Sequence, residues 1–454
     1  MKPLRCVALG ALLIAALSSP AAFGGDCSDP QGACPTPCPA ERSCNSPYGS
    51  GEGCPERLIC VPSCLPSWCV CDVEHNSWAC SADCGGECYD WPEPTGPPTH
   101  TITSLGTLGG LEGVAKAINN YGDIVGEAGA PDGRRHATLW TNGQAIDIGP
   151  PNRSSWGVAI NNSGQALVAD NYHVWLWEKG SGLDLLSELI RAYAINDAGQ
   201  VVGISSAGLG SVLWQDGTIV DLWETIGIGG TDINNLGQIA GSIPAGSYSS
   251  HAAFWDGSQV IDLGTLGGLY SFATGVNDLG QVIGESERAP GGDRIFYGFL
   301  WDRGRLTDLS ELVGYKVRGL HLNNCGEVLL PGTGRSDEAF YVYHAERGLR
   351  PVRGVYGPEA GWWYFYGRGM NDAGEIVGSG SMTGPGLGFL IAPVRGDLDW
   401  DGDVDLGDFA DFSARLTGPK APAIPGCERA DIDRDADVDL WDFALFQEVL
   451  RGPQ

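Results

Sequence analysis

Residues 117–126 read AINNYGDIVG, and the same pattern returns six times: AINNSGQALV at 159–168, AINDAGQVVG at 194–203, DINNLGQIAG at 232–241, GVNDLGQVIG at 275–284, HLNNCGEVLL at 321–330 and GMNDAGEIVG at 369–378. The leading asparagines, Asn119, Asn161, Asn196, Asn234, Asn277, Asn323 and Asn371, are spaced 42, 35, 38, 43, 46 and 48 residues apart. In Asn-Asn-x-Gly the asparagine side chains satisfy nearby backbone groups and the glycine takes the left-handed conformation. Apolar runs stand on both sides, so each copy reads as a hairpin.

A second hairpin follows in most copies. It starts at TLW, WLW, VLW, AFW or FLW, passes a glycine-bearing turn and ends in Asp-Leu or Asp-Ile, as in QAIDIG, TIVDLW, QVIDLG and RLTDLS. Each repeat therefore supplies four short strands, a sheet too small to bury much alone. A period near 40 residues marks radial stacking of such sheets, which builds the core and hides the edges. The seventh copy stops after GLGFLIAPV and lacks its Asp-Leu strand, whereas residues 102–110, ITSLGTLGG, reproduce residues 261–268, IDLGTLGG, which close the fourth copy. The fold class expected is mainly β: a seven-bladed β-propeller over residues 99–394, closed by an N-terminal strand, Ile102 to Leu105, that completes the last blade.

The rest of the 454-residue chain divides around this array. Residues 1–24 carry Lys2 and Arg5, an apolar stretch over 7–17 and small residues at Ala22 and Gly24, which is the pattern of a signal peptide cut before Gly25. The stretch is about half the ~20 residues that span a bilayer. The expected location is secreted, extracellular or cell-surface associated, with no transmembrane segment. Residues 25–90 hold twelve cysteines: Cys27, Cys34, Cys38, Cys44, Cys54, Cys60, Cys64, Cys69, Cys71, Cys80, Cys84 and Cys88. An even count in so short an exported segment reads as a disulfide framework, because the segment cannot fold by packing alone. Zinc is the competing reading, but His75 has no partner at finger spacing and Cys69 and Cys71 stand too close for a normal chelating pair. This module resembles small cysteine-rich modules of other bacterial exported proteins, which implies a rigid spacer or binding knob. Residues 91–98, WPEPTGPP, read as a semi-rigid linker.

Residues 395–454 contain two acidic loops. In DLDWDGDVDLGD, Asp397, Asp399, Asp401, Asp405 and Asp408 fall at positions 1, 3, 5, 9 and 12 of an EF-hand loop, Gly402 falls at the sharp turn, and Asp403 at position 7 offers its carbonyl. DIDRDADVDLWD repeats the register with Asp431, Asp433, Asp435, Asp437, Asp439 and Asp442, but Ala436 replaces the glycine and makes the second of two calcium sites the weaker. Val404 at position 8 supplies an apolar contact between loops. A similar helix follows each loop, from Asp408 and from Asp442, and each is stopped by Gly-Pro.

Two resemblances follow from these residues. The array is similar to the HAF-type extracellular repeat, through His251-Ala-Ala-Phe-Trp255 with His136 and His173 in the same place, and with Tyr297, Ala339 and Gly388 in later copies. That family implies little about activity. Residues 396–452 resemble a dockerin, the calcium-dependent module that docks onto cohesin domains, which implies a cohesin-like or other cell-surface protein partner. The positions through which dockerins read their partner are Leu406, Gly407, Leu440 and Trp441 here, in place of hydroxyl residues. Leu440 and Trp441 read either as a docking patch or as a mutual contact.

A net charge of −29 argues against nucleic acid as a partner, since phosphate binding needs basic residues, and favours cations. No Gly-x-Ser-x-Gly elbow, His-Glu-x-x-His helix, P-loop or dinucleotide fingerprint is present. Glycoside hydrolysis needs only two placed carboxylates. Glu127, Glu285 and Asp302 are candidates, against the simpler reading as surface charge. Trp362-Trp363-Tyr364-Phe365-Tyr366 reads either as an aromatic platform for a glycan or as a buried strand. Cys325 and Cys427 stand apart from the cysteine-rich segment. The expected function is a secreted binding or scaffold protein, with the propeller as recognition platform and the calcium module for attachment; the alternative is an extracellular carbohydrate-active enzyme, a glycoside hydrolase or polysaccharide lyase.

Overall fold

A computed structural model describes residues 98–289, 295–318, 321–332, 339–355, 364–381, 386–398, 403–416, 430–432 and 438–450, together with the backbone of four short strands upstream. The chain forms two compact units, Met1–Glu93 and Pro94–Gln454. In the first, Leu58–Val61 pairs antiparallel with Glu87–Asp90, and Cys69–Asp72 with Ser77–Cys80. The register sets Cys60 opposite Cys88 and Cys69 opposite Cys80. The signal segment, the linker and Cys27, Cys34, Cys38, Cys44, Cys54, Cys64 and Cys84 lie outside the described residues.

The second unit contains seven four-stranded antiparallel sheets. Blade 1 runs outward through Gly113–Ile118, Ile124–Gly129, Arg135–Thr141 and Gln144–Asp147. The inner strands of blades 2 to 7 are Trp156–Ile160, Leu189–Ile195, Gly229–Ile233, Ser271–Val276, His321–Leu322 and Tyr364–Met370. Blade 7 continues through Ile376–Ser381 and Leu387–Pro393, and its fourth strand is His100–Ser104, with Ile391 opposite Ile102. The closing exchange expected from residues 102–110 is thus what the fold builds. Apolar cores lie between adjacent blades: Val125 and Ala137 of blade 1 with Ala166, Val168 and Trp175 of blade 2, for example. At the closing joint, Ala115, Ile124 and Trp140 of blade 1 meet Val377 of blade 7.

The repeated turn does more than reverse the chain. All seven turn glycines, from Gly122 to Gly374, have φ between 74° and 77°. At Asn277, Oδ1 accepts the backbone N–H of Leu279 (3.2 Å) and of Gln281 (2.9 Å), closing the turn locally. The amide Nδ2 faces the other way, into the next blade. Asn119 donates to the carbonyl of Asn161, Asn161 to Asn196, Asn196 to Asn234, Asn234 to Asn277, Asn277 to Asn323, Asn323 to Asn371, and Asn371 back to Asn119, all at 2.8–3.2 Å. A second ring uses the next residue: the backbone N–H of Asn120, Asn162, Asp197, Asn235, Asp278, Asn324 and Asp372 each donates to the side-chain oxygen of the following one, at 2.7–3.1 Å. Two closed belts of hydrogen bonds therefore circle the axis, the first buried throughout and the second half-buried to exposed.

The glycine that ends the motif has a different cause. In blade 1, Val114 pairs with Glu127 and Ala115 with Gly126, but Ala117 pairs with Val125, so Lys116 is the extra residue of a bulge. Equivalent shifts occur in blades 2, 3, 4, 5 and 7. The bulge presses the inner strand onto its neighbour, and a Cβ at Gly126, Gly203, Gly241, Gly284 or Gly378 would fall on an inner-strand carbonyl oxygen.

Four helices complete the described residues. Helices α1 (Leu222–Ile226) and α2 (Leu309–Val313) were not expected; they start at the Asp-Leu strand ends, where Asp221 and Asp308 accept backbone N–H groups as N-caps. Helices α3 (Leu406–Ser413) and α4 (Leu440–Leu450) begin two residues earlier than the loop register suggests, because Asp405 and Asp439 already bond the N–H groups of Gly407 and Trp441. They pack Phe412 on Phe446 at 5.3 Å, over a core with Leu398, Ala430 and Val438. Among the described residues no helix is long and apolar enough to cross a membrane.

Candidate functional site

Over their described residues the two acidic loops share the same hydrogen bonds. In the first, Asp408 accepts the N–H of Leu398 at 2.6 Å and of Asp405 at 2.8 Å. In the second, Asp442 accepts that of Ile432 at 2.6 Å and of Asp439 at 2.8 Å. Position 12 thus ties positions 2 and 9 in both. Asp397, Asp408, Asp431, Asp439 and Asp442 are all buried, although a carboxylate is expensive to bury unless paired or metal-bound. Carboxylate oxygens of Asp403, Asp405 and Asp408 converge within 4.8 Å of one another. Three hard oxygen donors at that spacing suit a divalent cation of the calcium type. Asp403 was expected to offer its carbonyl; here it is its carboxylate that lies in this group, with Asp403 and Asp405 exposed and Asp408 buried. Asp399, Asp401, Asp433, Asp435, Asp437, Gly402 and Ala436 lie outside the described residues. Val404 and Val438, at position 8 of each loop, share one apolar cluster. Leu406, Gly407, Leu440 and Trp441 all face solvent, Trp441 at 73% exposure.

The propeller separates the three carboxylates that the sequence grouped. Glu127 and Glu285 occupy the same place near the ends of second strands, in blades 1 and 5. Asp302 ends a third strand on the face that carries the Asn-Asn-x-Gly turns, beside Arg303 at 3.7 Å. Glu127 is held by Lys116 (3.6 Å) and Arg135 (3.1 Å), and the same Arg135 guanidinium binds Glu112. The guanidinium fills the gap between these two carboxylates, where a scissile oxygen would have to sit. Glu285 lies 3.4 Å from Arg318, and burial pushes its carboxyl above the usual range against the pull of Arg318 and Lys316.

The histidines of the third strands act within their own blades. His136 Nδ1 lies 2.7 Å from Asp147 and His251 Nδ1 lies 2.9 Å from Asp262, tying third strand to fourth. In blade 5 the link is remade: Arg288 stacks on Tyr297 at 3.9 Å and donates to Asp308 at 2.6 Å. His173 departs from this, contacting Asp170 at 3.1 Å. Of the aromatic run, Trp362, Trp363 and the side chain of Tyr364 lie outside the described residues. Phe365 packs on Phe340 and Phe389 in the core, as the buried-strand reading expects, while Tyr366 is 49% exposed. Cys325 Sγ sits 3.5 Å from the carbonyl of Asp372, and Cys427 lies outside the described residues.

Sequence reading missed a group along the inner wall. Asp232, where most blades have Ala or Gly, accepts the N–H of Val276 from the next blade at 2.8 Å, and burial pushes its carboxyl up to about 7. His321, at the same inner-strand position of blade 6, is pushed down to about 4 by burial and the charge of Arg368. Both sit two residues before the leading asparagine, which was the available signal.

No protein-family model matches the chain, and no curated protein matches it either. Among solved structures, it is similar to oligogalacturonate lyase in complex with manganese, at 12% identity and a TM-score of 0.43, over 69% of this chain and 97% of that one. It is also similar to the β-propeller domain of the Trilobed protease from Pyrococcus furiosus, at 11% identity and a TM-score of 0.39, over 64% and 95%. A gluconolactonase from Xanthomonas campestris matches at 13% identity and a TM-score of 0.31, over 54% and 87%. The blade count rests on this chain's own strand order.

Proposed function

We propose that this chain is an exported binding or scaffold protein, in which the propeller is the recognition platform and the C-terminal loop pair is a calcium-stabilised attachment module of dockerin type. The observation that carries the reading is the matched construction of the two loops, each with a buried position-12 aspartate tied to positions 2 and 9. Buried like charges repel, and a bound cation turns that cost into folding free energy. Leu406, Leu440 and Trp441 are exposed on the first turns of α3 and α4, where a cohesin-like or other cell-surface partner would dock. The export signal over residues 1–24 and the cysteine pattern over 25–90 agree with an extracellular setting.

For the propeller, binding fits better than hydrolysis, because Arg135 occupies the space between Glu112 and Glu127. The test is calorimetric. Chelator should lower the melting temperature of the C-terminal module in the full chain and leave the propeller transition in place. Identical melting curves with chelator and with calcium would overturn the metal assignment.

A further inference from the structure

The inner strands of blades 7 and 1 gather positive charge within a chain of net charge −29. Lys116, at the bulge of blade 1, places its Nζ 5.1 Å from the ring centroid of Trp156 in blade 2. From the other side Arg368, at the bulge of blade 7, stacks on Tyr366 at 4.6 Å, and its buried Nε has no hydrogen-bond acceptor among the described residues. Among the described residues three cations, Lys116, Arg135 and Arg368, meet two carboxylates: Arg135 holds both Glu112 and Glu127, and Lys116 shares Glu127 with it. Burial is the main cause that lowers the Lys116 ammonium below its ordinary range; the charges of Arg368 and Arg135 add to it, against Glu127. The charge of Arg368 also reaches His321 of blade 6, whose imidazole burial holds neutral at neutral pH.

Desolvated positive charge in excess is unfavourable until an anion joins it. Guanidinium and ammonium groups beside aromatic faces match a ligand that carries carboxylates on flat, weakly polar rings. We propose that Lys116, Arg368, Trp156 and Tyr366 form a subsite for an acidic glycan, with uronate carboxylates on the two cations and sugar faces against the two rings. This rests on the reading of the propeller as a recognition platform. An acidic peptide would satisfy the cations but would leave the rings without a matching surface.

The full chain in calcium-containing buffer is titrated with a β-1,4-linked glucose hexamer, with its C6-oxidised glucuronate counterpart, and with hexaglutamate. The glucuronate hexamer should bind, and its affinity should fall as salt is raised. Lys116→Gln and Arg368→Gln should each weaken it about tenfold or more, the loss of one charge-assisted contact. Lys116→Arg, which keeps the charge, and Arg303→Gln, on the opposite face, should retain binding. Equal binding of the neutral hexamer, preference for hexaglutamate, or glucuronate affinity indifferent to both Gln variants would overturn the subsite while leaving the platform reading in place. A folded chain that retains nothing on a glycan array or an extracellular-protein panel would overturn the platform reading itself.

Discussion

Asn277→Ala tests whether the inner belt holds the ring together. The side chain is 2% exposed and makes four hydrogen bonds: Nδ2 to the carbonyl of Asn323 (2.9 Å) and to Gln281 Oε1 (2.8 Å), and Oδ1 from the N–H groups of Leu279 (3.2 Å) and Gln281 (2.9 Å). At about 1 kcal/mol net per bond, with part of the loss regained by relaxation and part enlarged by stranded polar groups, truncation should cost about 3 to 5 kcal/mol. For a propeller of this size each kcal/mol moves the midpoint by roughly 2 °C, so the main transition should fall by roughly 6 to 10 °C. Differential scanning calorimetry on the full chain measures it, with Asn235→Ala from the exposed outer ring as comparison, expected to cost about 1 kcal/mol. Asn277→Asp should be at least as harmful at neutral pH, since a carboxylate would face the Asn323 carbonyl, and should partly recover in acid as it regains a proton to donate. A midpoint for Asn277→Ala within 1 °C of wild type (about 0.5 kcal/mol at that slope), or equal to that of Asn235→Ala, would refute the belt as a structural determinant.

Gly284→Ala would set a methyl group on the Phe272 carbonyl and 2.5 Å from Phe299 Cζ; a loss of about 2 to 4 kcal/mol is expected in a thermal melt, and an unchanged melt would mean the bulge relaxes freely. Asp232 has a folded-state pKa raised to about 7, so its contribution is present below about pH 4 and is lost as pH rises through 7. Asp232→Asn should therefore flatten the pH dependence of the melting temperature between pH 4 and 7.5, and a slope equal to wild type would contradict the desolvated-carboxyl assignment. His321 has a folded-state pKa lowered to about 4, so stability should fall as pH drops from about 6.5 towards 4, and His321→Gln should lessen that fall in urea titrations.

The blade count and the closing strand were readable because each rests on local chemistry that recurs. Asn-Asn-x-Gly makes its turn from its own atoms, and residues 102–110 copy residues 261–268. What asparagine Nδ2 reaches in the next blade could not be read, since that partner lies 35 to 48 residues away, and 252 for the bond from Asn371 to Asn119 that closes the ring. The third-strand histidines were nearer to legible: His136 with Asp147 and His251 with Asp262 share a spacing of eleven, a pattern that strand pairing makes meaningful. The inner-wall cations were hidden because Lys116 and Arg368 stand at bulge positions whose other occupants, Val158, Tyr193, Thr231 and Thr274, show no common chemistry. Periodicity exposes what every blade shares, and a binding surface is made from what the blades do not share.

The seam in blade 7 also decides how the molecule answers to tension. His100 lies opposite Pro393, and the N–H of Val394 donates to the carbonyl of Thr99 at 2.9 Å, so chain enters and leaves the ring at neighbouring points. If the segments before Thr99 and after Val394 were pulled apart, the load would fall on one end of an antiparallel ladder. Its hydrogen bonds would open one after another, like a zipper, where a pull along the strands would have to shear them together. Ring opening under load would then begin at the outermost strand of blade 7, while Asn371 and Asn119, on the inner belt, still clasped the axis.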